Sequence, residues 1–157
     1  MTLTSQLAPE SSVRKVEFRQ LEPLPGQNPI DSLVEDFGVV YVTSITRDGC
    51  SGCQEQKPLY AQLATRMVEK HKGQVVFSNI HVRYRDDDTT ESGESKGIFG
   101  HAAYPTYMVH VRSKFGPLEV YRRVYPTMEE LEKQAADALE LAEYYKTEAE
   151  KTGSQEF

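Results

Sequence analysis

The sequence predicts an α/β domain in which a central mixed β-sheet is flanked by helices on both faces. Three observations predict it. Two runs rich in β-branched and aromatic residues, at 39–44 and 74–82, are separated by a long stretch with helical apolar spacing, the pattern of parallel strands joined by a crossover helix. Two further strand-like runs, at 106–112 and 118–124, are joined by the turn S-K-F-G-P and read as an antiparallel hairpin. The chain has 157 residues, 38% hydrophobic and 27% charged, the size and composition of one soluble domain with a real core.

Taken in order, residues 1–12 are polar and read as mobile. V-R-K-V-E-F-R-Q-L, at 13–21, alternates Val16 and Phe18 and is an edge-strand candidate. E-P-L-P-G-Q-N-P is a loop punctuated by Pro23, Pro25 and Gly26. Asn28 before Pro29 has the form of an N-cap and first helical position, opening a short helix at 30–37 that stops at Gly38. V-V-Y-V-T-S, at 39–44, is apolar enough to be buried on both faces.

After the cysteines, P-L-Y-A-Q-L-A-T-R-M-V-E-K-H-K carries Leu59, Leu63 and Met67 at helical spacing, with Tyr60, Ala64 and Val68 beside them. Lys70, His71 and Lys72 suit a helix C-terminus, and Gly73 is the expected left-handed cap. R-Y-R-D-D-D-T-T-E-S-G-E-S-K-G, at 83–97, is expected to be a polar surface loop ending in a short helical turn near Phe99. Thr127 opens T-M-E-E, a capping box with Glu130. The final helix runs from 128 to about 148, with Leu131, Ala135, Ala138, Leu139 and Ala142 on one face.

The formal net charge of −6 argues against a general nucleic-acid or anionic-membrane binder, since both need clustered cations. No apolar run approaches a membrane span. The opening M-T-L-T-S-Q-L-A-P-E-S-S has no basic start followed by an apolar block, so it does not read as a signal peptide, and the expected location is cytoplasmic. In a reducing compartment a close cysteine pair is there to react rather than to staple.

Cys50 and Cys53 are the only cysteines, in R-D-G-C-S-G-C. Cys50 falls between the end of a buried strand and the start of a helix, where unpaired N–H groups stabilise negative charge. That position favours its thiolate, the nucleophilic form. Cys53 lies one turn on, less exposed, with its sulfur brought back within disulfide reach. Cys50 is thus the attacking thiol and Cys53 the resolving one. C-x-x-C also occurs in zinc and iron–sulfur sites, but His71, His81, His101 and His110 show no ligand spacing around it. Two ordinary buried cysteines would sit in an apolar stripe rather than in a G-C-S-G-C turn.

With these residues in place, the chain resembles the thioredoxin-like superfamily over about residues 28–145. C-S-G-C follows a buried strand at a helix start. Pro58 stands five residues beyond Cys53, like the proline inside the active-site helix of thioredoxins. F-G-H-A-A-Y-P-T-Y-M-V, at 99–109, is similar to the family's cis-proline segment, with the Y-P-T of protein disulfide isomerase catalytic domains. The resemblance implies that Pro105 is cis and faces the cysteines, and that the backbone of Tyr104 pairs with an extended substrate. It sets the domain at 28–149, with 1–27 as an N-terminal extension and 150–157 as a flexible tail.

The departures are specific. The family's tryptophan before the first cysteine is Gly49 here, its buried acid is Ser44, and the lysine that partners that acid aligns with Phe77. Losing both ionic partners avoids one uncompensated buried charge. The acceptor of the Cys53 proton is then open: a water beside Thr43 or Ser44, or Glu55.

Among the remaining features, Asp86, Asp87 and Asp88 with Glu91 or Glu94 form an acidic loop, a weak cation candidate and more simply a solvated surface. Arg47 favours the Cys50 thiolate and Asp48 opposes it. The expected activity is thiol–disulfide exchange on protein disulfides, with no bound organic cofactor or metal. Electrons would come from a separate reductase or a small thiol, and nucleic acid and membrane are not expected partners. The alternative class is a binding module of the same fold, holding a partner at Tyr104 and Pro105 with little redox activity.

Overall fold

The computed structural model describes residues 12–21 and 28–152. The polar start, the proline loop at 22–27 and the tail from 153 lie outside the described residues. One five-stranded sheet has the order β1-β3-β2-β4-β5. β1 (Val13–Glu17) and β2 (Val40–Arg47) both run parallel to β3 (Val75–Val82). β4 (Thr106–Ser113) is antiparallel to β2 and forms a hairpin with β5 (Gly116–Val124). Among the described residues three α-helices accompany the sheet: α1 (Ser51–Lys70), α2 (Thr90–Phe99) and α3 (Met128–Thr152).

The central strand β2 is buried on both faces, as its apolar run requires. Val40 and Val42 face α1 and α3; Tyr41 and Ile45 face the other way. On the first side the core is closed by Tyr60, Leu63, Ala64 and Met67 of α1 and by Leu131, Ala135, Ala138 and Ala142 of α3. The alanines let α3 lie close to the sheet. On the second side Phe18, Ile30, Leu33, Val34 and Phe99 cover it.

Four local expectations change. The 30–37 helix is only a 3-10 turn, Pro29–Ser32, although Asn28 does cap it, its side chain accepting the Ile30 N–H at 3.0 Å. Leu59, placed in the apolar stripe, is 46% exposed, because the buried face of α1 centres on Tyr60, Leu63 and Met67. The C-cap of α1 is His71, and the left-handed Gly73 belongs to the turn that follows. In place of a polar loop at 83–97 ending in a short helical turn near Phe99, the chain forms α2 from Thr90 to Phe99, ten residues long. Its inward face is built from Ser92, Ser95 and Phe99, so no apolar stripe announces it. The two serines are satisfied instead, Ser92 Oγ by Tyr104 OH at 2.9 Å and Ser95 Oγ by His101 Nε2 at 2.8 Å.

The hairpin buries a histidine. His110 on β4 has a side chain 5% exposed, with Nε2 3.6 Å from Glu119 Oε1. Burial pushes its pKa down to about 4 from 6.5, against the smaller opposing pull of Glu119. The native state therefore holds a neutral ring where the unfolded chain takes up a proton. Above pH 6.5 both states are neutral and nothing is lost. As pH falls from 6.5 toward 4 only the unfolded state gains the proton, and stability is expected to drop by up to about 3 kcal/mol. Burial shifts His101 the same way. His110→Gln should therefore flatten this slope without abolishing it, as read from urea midpoints across that interval; an unchanged slope would disprove the assignment to His110.

Candidate active site

The site is built where β2 ends and α1 begins. β2 leaves the sheet through Arg47 and Asp48, and Gly49 adopts a φ of 66°, a left-handed turn that glycine tolerates best. Cys50 is the N-cap of α1, its sulfur accepting the Cys53 N–H at 3.1 Å. The two cysteines are joined in a disulfide, with Cα atoms 5.2 Å apart. Contrary to expectation they are equally shielded, each 6% exposed. Pro58 stands inside α1.

Pro105 comes to the same place from a different element. The Tyr104–Pro105 peptide bond is cis. A Cβ added to Gly52, between the cysteines, would lie 3.4 Å from Pro105 Cδ and 3.3 Å from Tyr125 Cε1. The proline therefore lies against the cysteine turn. The Tyr104 side chain does not join it: its hydroxyl bonds Ser92, its ring meets His101 at 4.8 Å, and it belongs to the core on the far side of the sheet from α1.

Tyr125 is a rim residue that sequence reasoning missed. It is half exposed, its N–H donates to the Pro105 carbonyl at 3.0 Å, and among the described residues it is the one non-glycine with positive φ, at 52°. A strained non-glycine conformation of this kind persists where surrounding contacts hold it. No local pattern in V-Y-P-T foretells it.

Cys53 lines a cavity of about 280 Å³ that extends to Val13 and Lys15 of β1. Ser44 faces it from the position expected for a buried acid. Phe77, aligned with the family's lysine, pairs instead with Val42 and packs on Tyr60 at 5.5 Å. The residue opposite Ser44 is Asn79. Its Nδ2 donates to Ser44 Oγ at 2.9 Å and to Thr46 Oγ1 at 3.0 Å. Thr46 Oγ1 is 3.3 Å from His81 Nδ1, and His81 Nε2 is 2.7 Å from Asp48 Oδ1. The His81 ring foremost, then the Tyr84 N–H, holds the Asp48 carboxyl below the ordinary carboxylate range. A sequence signal for this set exists. S-x-T and N-x-H end two parallel strands, and period two puts all four side chains on one face.

The charges weighed around Cys50 have other partners. Arg47 stacks on Tyr84, 4.0 Å from the ring centroid, and Asp48 is bonded to His81. Of the acidic loop, Asp88 accepts the Thr90 N–H at 3.1 Å and Glu91 binds Arg83.

No protein-family model matches the chain, and no curated protein matches it by sequence. Solved thioredoxins match it in structure. Mitochondrial thioredoxin 3 from Saccharomyces cerevisiae, in its oxidized form, gives a TM-score of 0.52 at 15% identity, over 82% of this chain and 98% of that one. Thioredoxin NaTrxh from Nicotiana alata gives 0.51 at 22% identity, over 80% and 92%. The thioredoxin of Trichomonas vaginalis gives 0.55 at 10% identity, over 80% and 96%. At these identities the likeness is one of fold, and the fold of this chain is thioredoxin-like.

Proposed function

We propose that this chain is a thiol–disulfide oxidoreductase acting on protein disulfides through Cys50 and Cys53. The observation that carries the reading is the Cys50–Cys53 disulfide at the first turn of α1, with Pro105 packed beside it. In the reduced form the Cys50 thiolate attacks one sulfur of a substrate disulfide. That bond breaks, one substrate thiolate leaves, and a mixed disulfide forms. Cys53, as thiolate, then attacks Cys50 Sγ, closing the intramolecular disulfide and releasing the second substrate thiolate. Two electrons pass to the substrate, and its thiolates take their protons from solvent.

An extended substrate segment would pair with the backbone of Tyr104, beside Pro105 and under Tyr125. A separate reductase or a small thiol would restore the dithiol. Among the similar structures is a complex of ferredoxin:thioredoxin reductase with thioredoxin f2, matched at 15% identity. The net direction follows the potential of the couple, each 30 mV being worth about 1.4 kcal/mol.

The low exposure of both cysteines favours a second reading, a binding module of the same fold. Insulin reduction by dithiothreitol separates the two. The parent is expected to accelerate it well beyond dithiothreitol alone, and Cys50→Ser to sit at that background. A parent at background would leave the binding module standing.

A further inference from the structure

The resolving step needs a thiolate on Cys53, a buried residue with no carboxylate at the position of Ser44. We propose that His81 takes the Cys53 proton through the cavity and the Thr46 hydroxyl, and that Asn79 and Asp48 hold this relay in register. The proposal rests on the dithiol reading above.

The geometry gives each group one role. The lowered pKa of Asp48 keeps it ionised, so it accepts from His81 Nε2–H at 2.7 Å. With the ring proton on Nε2, Nδ1 is a bare acceptor. Thr46 Oγ1, 3.3 Å away, donates to it. The amide of Asn79, on the same strand as His81, donates to both Ser44 and Thr46 and so sets the direction of the Thr46 hydroxyl. Cys53 lines the same cavity as these residues. Its volume admits water, and Ser44, Thr46 and Asn79 on its otherwise largely apolar walls offer hydrogen-bond partners; in this relay such water carries the proton from the sulfur to Thr46.

The step balances. Cys53 gives its proton to cavity water, Thr46 passes one on, and neutral His81 becomes imidazolium beside the Asp48 carboxylate. The Cys53 thiolate attacks Cys50 Sγ and the substrate leaves as a thiolate. His81, whose side chain is 32% exposed, returns its proton to solvent.

The other charged and titratable groups on the cavity are Lys15 of β1, Lys57 and Tyr60 of α1, Arg47 of β2 and Tyr107 of β4. Burial raises both tyrosines, so they stay protonated and take no part as bases. The cations favour a thiolate over a thiol, and Asp48 offsets their effect on the imidazolium.

Reaction of the reduced protein with dithiobis(nitrobenzoic acid) reads the two steps apart. The first coloured thiolate reports attack by Cys50, and the second reports resolution by Cys53. His81→Gln is expected to slow the second phase near pH 7 by about 10- to 100-fold and the first by less than about twofold. The gap should narrow as pH rises, because higher pH favours the thiolate without an acceptor. Thr46→Val should slow the second phase in the same way, and Thr46→Ser, which keeps the hydroxyl, should restore it.

Parental second phases in His81→Gln and Thr46→Val overturn the relay. So do equal losses in both phases, or a Thr46→Ser as slow as Thr46→Val. Should His81→Gln fail to fold, the two Thr46 variants decide alone. A parent with no second phase would instead refute the dithiol reading itself.

Discussion

Cys53→Ser is expected to hold its substrate: incubated with a protein disulfide or with oxidised glutathione, it accumulates a mixed disulfide through Cys50. Cys50→Ser under the same conditions does not. The asymmetry follows from position. Cys50 is the N-cap of α1, where the free N–H groups of the first turn stabilise its thiolate. Cys53 sits one turn inside, over the cavity. In turnover both variants fall to the uncatalysed background, a loss on the order of 10³-fold or more for removal of a nucleophile. Intact-mass spectrometry separates them, since a trapped adduct adds the mass of its substrate half. Equal trapping by the two variants would reverse or remove the assignment of roles.

Tyr60→Ala should have the largest effect on stability, a cost of about 3–5 kcal/mol. Tyr60 lies between α1 and the sheet, 5% exposed, with its ring edge-on to Phe77 at 5.5 Å and Tyr107 at 5.4 Å. Its hydroxyl lies 2.7 Å from the Ser78 carbonyl and 3.1 Å from that of Val42, and so ties α1 to β2 and β3. Alanine removes the ring contacts and the hydrogen bond together. Tyr60→Phe keeps the ring and leaves only the buried carbonyls short of a partner, which costs about 1–3 kcal/mol. Urea unfolding should show both as falls in midpoint with an unchanged slope. A Phe variant as damaged as the Ala variant would mean the hydroxyl, not the ring, holds the helix.

Much of the fold was legible because its signals are local. The β-branched run at 39–44 has the pattern of a strand buried on both faces, and β2 is the centre of the sheet. Asn28 caps a turn and Thr127 Oγ1 accepts the Glu130 N–H at 3.1 Å, each within three residues of its partner. Of the helix α2 only the last turn, near Phe99, was legible. Its buried residues are mostly serines, and their hydroxyl partners, Tyr104 and His101, come from the segment after it. A stripe of that kind has no hydrophobic period to detect.

The same division runs through the candidate site. The order of the cysteines at a strand-to-helix turn is a property of a few consecutive residues, and the sequence by itself supplied the expectation that Cys50 attacks and Cys53 resolves. Its resemblance to a family also singled out Pro105. What surrounds the sulfurs was decided only in three dimensions. Asn79 meets Ser44 from 35 residues away, and His81 meets Thr46 from the same distance. That register is a property of the pair of parallel strands and cannot be read from either strand alone. Tyr125 likewise reaches Gly52 only because the β4–β5 hairpin returns its end to the start of α1. Local chemistry is written in neighbouring residues, whereas contacts between distant segments exist only once a shared core has fixed their distance and direction.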